Sequence, residues 1–256
     1  MKKISSISQL LKFSWNKTFD NFKIFFDVAF IPFFLVLILT VITTYNDDFV
    51  LRLFENKGLS ASIRGSVSTR LVDIFLVTPL IAIFLVNWHR FVIFNGKKPW
   101  RLIKFDLSRY TFVFIWAGIK IAIVTLIPLF LLVYLNIFLF VKYAKVMLFF
   151  MGFIYALFVF VYFRLIIILP AAAAENDISL KRIFKLSKGN FWKIFLLFLL
   201  MLLTVFIISF ALAFILPETN LITWFLLQLI STALLFVYGA LFAGCISKLY
   251  LEIKND

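Results

Sequence analysis

Six long apolar segments, separated by short charged ones, dominate the pattern of hydrophobic and polar positions along this chain. A helix needs about 20 apolar residues to cross the hydrocarbon core of a bilayer. Lipid offers no partner to an open backbone amide, so each segment is predicted to be helical. The limits read from the sequence are Asp27 to Asp47, Asp73 to about Phe94, Lys120 to Lys142, Val146 to about Ala174, Lys193 to Glu218, and Glu218 to Lys248. The pattern therefore predicts an all-α polytopic membrane protein with six transmembrane helices arranged as three hairpins.

Composition excludes an ordinary soluble domain. Hydrophobic residues make up 64% of the 256 positions, and 36 of them are phenylalanine. Soluble domains contain about 45–50% apolar residues. The net charge of +14 raises the question of nucleic acid, but the basic residues lie mostly beside the apolar segments. The lipid bilayer, and its anionic phospholipids in particular, is therefore the predicted partner, and nucleic acid is not.

The distribution of lysine and arginine predicts the orientation. With six spans, 18 basic residues fall on the side that carries both termini and six on the other, leaving Lys120 and Arg164 inside the spans. Basic residues collect on the cytoplasmic side of membrane proteins. We therefore expect a multi-pass protein of a bacterial cytoplasmic (inner) membrane with both termini in the cytoplasm.

Three basic, partly apolar segments precede the first, third and fifth predicted helices; they begin at Ile7, Pro99 and Ile178. The first and third share a Lys-x-Ser step, which ends at Ser14 and Ser187, and an Asn-Phe pair. This similarity favours a threefold repeat over 5–94, 99–174 and 178–252, within a single membrane domain of residues 1–256. The alternative is convergence, because every hairpin in this orientation needs a basic collar.

The third of these segments predicts an amphipathic interfacial helix. Its apolar positions recur at intervals of three and four residues, with basic residues between them. The predicted bilayer-facing set is Leu180, Ile183, Phe184 and Ser187, and the predicted headgroup-facing set is Lys181, Arg182, Lys185 and Lys188.

Two stretches carry a resemblance to a known group of proteins. They are NWHRFVIFNGKKPW and, above all, FRLIIILPAAAAENDISLKRIFKLSKGNFWKIF. The second passes from an arginine through an apolar run that ends in proline and small residues, and then through an acidic step to a basic helix. They resemble bacterial six-span integral membrane proteins similar to the membrane domain of some glycerophosphodiester phosphodiesterases. The resemblance implies the fold alone, because this chain lacks the soluble phosphodiesterase domain with its acidic metal ligands.

Three cations near the ends of the even-numbered helices are candidate site residues: Arg90, Arg164 and Lys248. Charges within spans are costly and often functional. If the repeats pack around a common axis, these cations would converge and, with Lys181, Arg182 and Lys185, bind a phosphate or a lipid headgroup. The alternative is that each side chain reaches to the nearby boundary and serves no ligand.

Lys120, Asn136 and Gln228 are the candidate intramembrane polar residues. Lys120 lies near mid-membrane if the third helix begins near Tyr110, and it is a collar residue if the helix begins after it. The collar interpretation is favoured, because the 21 apolar residues that follow Lys120 suffice for a span. His89, the one histidine, is expected at the interface beside Trp88, and no cluster of ligands predicts a metal or cofactor.

The function expected from these observations is non-enzymatic. The protein would bind lipid or a membrane protein partner and support the organisation of the envelope. A transporter or channel for small solutes or lipids is the alternative, and it requires a path lined by the intramembrane polar residues. A lipid enzyme would require clustered carboxylates, histidines or serines, which the sequence does not present.

Overall fold

A computed structural model describes the backbone of residues 5–54, 73–95, 109–175, 179–215 and 221–254. Side chains of 44–54, 73–74, 213, 221 and most of 127–154 are not described. The described residues contain helices and no strand: α1 (Ile7–Phe19), α2 (Phe22–Phe54), a π-helical turn (Asp73–Val77), α3 (Thr78–Ile93), α4 (Arg109–Leu165), α5 (Ile168–Glu175), α6 (Leu180–Leu186), α7 (Phe191–Ile215) and α8 (Leu221–Lys254).

Six helical segments are long and apolar enough to cross a membrane, which confirms the all-α polytopic prediction. They are span 1 (Phe22–Thr43), span 2 (Phe75–Ile93), span 3 (Arg109–Leu126), span 4 (Tyr155–Glu175), span 5 (Phe191–Leu212) and span 6 (Ile222–Lys254). The basic segment from Pro99 and the tight link at Pro217 lie outside the described residues.

Spans 3 and 4 belong to one unusually long helical element. A straight helix of 57 residues would be about 85 Å long. Yet Arg90 contacts both Tyr110, at the start of α4, and Ala173, just beyond its end. The chain must therefore turn back within α4, so that spans 3 and 4 form the second hairpin.

The even-numbered spans form the centre of the bundle. Of the apolar window in each span, 44%, 56% and 44% is buried in spans 2, 4 and 6, against 33%, 28% and 17% in spans 1, 3 and 5. Spans 2, 4 and 6 also contact one another. Each odd-numbered span therefore exposes more of its surface to the surroundings than the span that follows it.

Aromatic residues pack each odd-numbered span between two even-numbered ones. In span 1, the centre of the Phe25 ring lies 5.7 Å from the ring centre of Trp88 in span 2. The centre of the Phe33 ring lies 5.8 Å from the ring centre of Phe236 in span 6. Phe198 of span 5 lies in the same way between Phe163 of span 4 and Phe242 of span 6.

The same relation holds for span 3. Its Phe114 packs with Val86 of span 2 and Ala173 of span 4. The six spans thus follow a cyclic order in which every peripheral span bridges two central ones.

Both ends of the described chain lie at one end of the bundle, called the terminal end below. The Ser5 hydroxyl donates to Glu252 at 2.6 Å, and the Tyr250 hydroxyl donates to Glu175. Pro170 lies beside a break in the helical backbone, since α4 ends at Leu165 and α5 begins at Ile168. A proline removes one backbone hydrogen bond and cannot continue a helix undisturbed.

The α1 helix runs antiparallel to the last turns of α8. Ser5 bonds Glu252, the Cys245 thiol donates to the Leu10 carbonyl, and the Ser14 hydroxyl donates to the Leu241 carbonyl at 2.6 Å. This approach requires Gly244, because a Cβ there would lie 2.2 Å from Ser14 Oγ. The small residues near the end of α8 thus allow α1 to pack against the bundle.

Candidate functional site

Arg90 and Arg164 have separate partners within the protein. Arg90 donates to the Ala173 carbonyl at 3.3 Å and stacks over Tyr110 at 3.8 Å. Arg164 donates to the Ser187 hydroxyl at 3.2 Å and to the Phe184 carbonyl, and it stacks over the Phe184 ring at 3.7 Å. Both guanidinium groups therefore donate hydrogen bonds to groups within the protein.

Lys248 has a third, different set of contacts. Its ammonium lies 3.3 Å from Glu252 and 5.4 Å from the centre of the Phe13 ring. No residue that contacts Lys248 also contacts Arg90 or Arg164 in the described part of the chain. Each of the three cations therefore has partners of its own within the protein, and their convergence on one anion stays a prediction.

The three cations make the same kind of contact, each with an aromatic ring of the next hairpin around the bundle. Arg90 and Lys248 lie near the ends of spans 2 and 6, and Arg164 lies within span 4, in the last turn of α4. Each contacts an aromatic residue that precedes or begins the next odd-numbered span. Arg90 of span 2 contacts Tyr110 of span 3, and Arg164 of span 4 contacts Phe184, before span 5. Lys248 of span 6 contacts Phe13, before span 1. These side chains join neighbouring hairpins through cation–π contacts.

The α6 helix places its predicted apolar residues against the bundle. Ile183 and Ser187 are buried, and Leu180 and Phe184 pack against the same core cluster. Of the basic residues, Lys181, Lys185 and Lys188 are exposed, whereas Arg182 lies 3.9 Å from Glu175. The exposed lysines of α6 and its C-terminal turn therefore face away from the protein at the terminal end.

Lys120 lies within a helix that begins 11 residues earlier, at Arg109, or about 16 Å along the axis. Its neighbours Ala117 and Ile121 are buried in the core cluster. This helix start differs from the collar interpretation, which begins the third span after Lys120. Gln228 is half-buried in α8, and Asn136 lies in helical backbone with its side chain outside the described set.

His89 is buried within the protein between spans 2 and 6, four residues before the end of span 2, and its expected depth at the membrane interface stays a prediction. It is 3% exposed, and its Nδ1 lies 2.7 Å from Ser247 Oγ. The neighbouring Trp88 donates from Nε1 to the Ala240 carbonyl at 2.9 Å. This polar contact could not be predicted from the sequence, because His89 and Ser247 lie 158 positions apart and meet only when spans 2 and 6 pair.

Two cavities border span 6. The first, called the α1 cavity below, has a volume of about 620 Å³ and lies between α1, span 5 and span 6. The second, called the span 2–5–6 cavity, has a volume of about 270 Å³ and a lining that is almost entirely apolar. Neither lining includes Lys120, Arg164 or Gln228.

Comparison with models of protein families, with curated proteins and with solved structures finds no match for this chain. The resemblance to the membrane domains of glycerophosphodiester phosphodiesterases therefore stays a prediction.

Proposed function

We propose that this protein binds anionic phospholipid at its terminal end, without catalysing a reaction, and that it helps to organise a bacterial envelope through this binding. The observation that carries the proposal is the division of the basic residues. Arg90, Arg164 and Lys248 are occupied by partners within the bundle. Lys12, Lys181, Lys185 and Lys188 are exposed at or near the terminal end.

Exposed lysines at a bilayer surface attract anionic lipids, each by about 1 kcal/mol. The even arrangement of spans around the bundle distributes such lysines on more than one side, since Lys12 belongs to α1 and Lys185 to α6. A ring of anionic headgroups around the terminal end follows from this distribution. The excess of basic residues on this side supports a location in the cytoplasmic membrane with both termini in the cytoplasm.

Native mass spectrometry tests this proposal. The purified protein is offered equal amounts of phosphatidylglycerol and phosphatidylcholine, and several bound phosphatidylglycerol molecules are expected for each one of phosphatidylcholine. Reversal of charge at Lys181, Lys185 and Lys188 together should abolish most of this preference. Reversal at Lys142 and Lys145, which sequence analysis places on the opposite side, is the control and should leave it intact. Equal binding of the two lipids by the unchanged protein would contradict the proposal.

A lipid transporter is the second candidate, and the span 2–5–6 cavity favours it. Phe84 of span 2, Leu202 of span 5 and Phe236 of span 6 line this cavity, which is open on one side. An apolar lining suits an acyl chain better than an ion or a polar solute. Liposomes that contain the protein and a fluorescent phospholipid test this candidate, since transport would expose inner-leaflet lipid to an external quencher faster than in protein-free liposomes.

A further inference from the structure

The α1 cavity runs along spans 5 and 6, in the direction that a lipid chain takes in a bilayer. Leu241 and Leu234 both line it and are two helical turns apart, as are Met201 and Ile208 on span 5. Seven residues of α-helix correspond to about 10 Å. The cavity therefore extends for at least this distance along spans 5 and 6, beginning at α1, and it is open on one side rather than enclosed.

The walls of the α1 cavity are largely apolar, and two hydroxyl groups in them already have hydrogen-bond partners within the protein. Of the three hydroxyl-bearing side chains in its lining, two are satisfied by the backbone, because Ser14 donates to the Leu241 carbonyl and Thr204 donates to the Leu200 carbonyl at 2.8 Å. The third belongs to Tyr238. A satisfied hydroxyl makes little demand on a ligand, whereas an unsatisfied one would disfavour a hydrocarbon chain. The remaining wall consists mainly of leucine, isoleucine, valine and aromatic side chains.

The mouth of the cavity has a different chemistry. Lys12 and Trp15 of α1 line it, and both side chains are exposed. Lys12 is the one charged residue in the lining, and no carboxylate accompanies it. Indole rings settle at the boundary between hydrocarbon and headgroups. An apolar slot with a cation and an indole at its mouth is complementary to an acyl chain that ends in an anionic headgroup.

We infer that the α1 cavity holds one acyl chain of an anionic diacyl phospholipid, with the lipid phosphate beside the Lys12 ammonium and the second chain in the bilayer. The inference rests on the proposed function and adds a specific site to it. The volume of about 620 Å³ lies within the usual range of ligand pockets, roughly 300–1,000 Å³. The open side gives the second chain of the same lipid a path to the bilayer.

Two adjacent isoleucines provide a matched test. Ile208 lines the α1 cavity, whereas Ile207 is 58% exposed and is not part of the lining. Ile208→Trp should fill the slot, and Ile207→Trp adds the same bulk outside it. Lys12→Ala tests the mouth, with Lys23→Ala, an exposed lysine outside the proposed lipid-binding set, as its control. Each variant is titrated with phosphatidylglycerol, and the affinity of the first bound lipid is measured by native mass spectrometry.

For the unchanged protein we expect one phosphatidylglycerol that binds more tightly than the others. Ile208→Trp should remove this tight binding, and Lys12→Ala should weaken it about fivefold, the equivalent of about 1 kcal/mol. Ile207→Trp and Lys23→Ala should leave the first affinity within twofold. Lys12 is exposed, so Lys12→Ala decides the matter even if the bulky Ile208 variant does not fold.

The outcomes separate this inference from the proposed function. Tight binding of the first phosphatidylglycerol that persists in Ile208→Trp and Lys12→Ala overturns the α1 site and leaves the general lipid binding in place. Loss of any preference between phosphatidylglycerol and phosphatidylcholine in the unchanged protein overturns both. A tightly held free fatty acid or lysophospholipid in place of the diacyl lipid also overturns the inference, since the site would then take a single-chain ligand.

Discussion

The helices α1 and α6 present the same sequence signature to the bundle but are attached to it by different means. Each leads into an odd-numbered span, and each ends a Lys-x-Ser step with a fully buried serine, Ser14 in α1 and Ser187 in α6. Ser14 donates its hydroxyl to a backbone carbonyl of α8. Ser187 instead accepts a hydrogen bond from Arg164.

A buried serine hydroxyl thus attaches a helix to the bundle in two different ways. A hydroxyl both donates and accepts, so the same serine can meet a carbonyl or a guanidinium group. The first arrangement requires close approach of two backbones, which Gly244 permits. The second spans a larger separation through the long Arg164 side chain. The repeat hypothesis gains support from the shared position of the two serines, and their different partners show how far the units have diverged under it.

The largest effect is expected from removing the Arg164 attachment of α6. Arg164→Ala removes two hydrogen bonds from a charged donor, and at about 1.5 kcal/mol each the free energy of unfolding should fall by about 3 kcal/mol. Thermal unfolding in detergent measures the loss. A cysteine at Ile183, which is buried on α6, introduced into a Cys245→Ala background should become reactive to maleimide only when Arg164 is also replaced.

Arg164→Lys distinguishes attachment from simple reach to the membrane surface. Lysine keeps the charge but lacks the planar fork that bonds Phe184 and Ser187 together. If Arg164 serves α6, the lysine variant should lose most of the stability that the alanine variant loses. A lysine variant as stable as the unchanged protein would show that the charge alone matters, and the contrast between α1 and α6 would then disappear.

A smaller effect is expected from blocking the approach of α1. Gly244→Ala places a methyl group against Ser14, and overpacking of this kind costs about 1–3 kcal/mol. Gly239→Ala is the matched control on the same helix, since its added Cβ would meet Leu85 and Phe84 at ordinary distances of 3.5 and 3.6 Å. Alanine favours a helix by about 1 kcal/mol over glycine, so this control should be neutral or stabilising.

The single cysteine reports on α1 directly. Cys245 is buried and bonds the Leu10 carbonyl of α1. Maleimide should react slowly with the unchanged protein and with Gly239→Ala, and much faster with Gly244→Ala. Equal protection of Cys245 in both glycine variants would mean that α1 accommodates the added methyl group without leaving α8.

The limits of span 2 and the starts of spans 5 and 6 were predictable from the sequence to within a few residues, because hydropathy responds directly to a lipid environment. The start of the third was not, since apolar residues lie on both sides of Lys120 and either side satisfies the length rule. The partners of Arg90, Arg164 and His89 were not predictable either, because they depend on which helices become neighbours. Periodicity identifies the buried face of a helix but not the helix that covers it.

The α1 cavity was likewise not predictable from the sequence. Its lining joins residues from α1, span 5 and span 6, and no spacing along the chain relates Trp15 to Ile208 or Leu234. Composition predicts lipid contact in general, since exposed lysines and apolar spans are visible in the sequence. A slot for one lipid chain arises only from the position of α1 beside α8, which in turn depends on a single glycine contact.

The smallest effect concerns the outer edge of α6, and it sharpens the contrast with the start of α1. Ser5 approaches Glu252 through its backbone amide at 3.0 Å and its hydroxyl at 2.6 Å, whereas Arg182 of α6 lies 3.9 Å from Glu175 with half of its side chain exposed. Exposed ion pairs contribute little, about 0–1 kcal/mol. Arg182→Ala should therefore change the free energy of unfolding by less than about 0.5 kcal/mol. A double-mutant cycle with Glu175→Gln measures the pair alone, and a coupling as large as the Arg164 effect would show that α6 is held at its edge as much as at its buried serine.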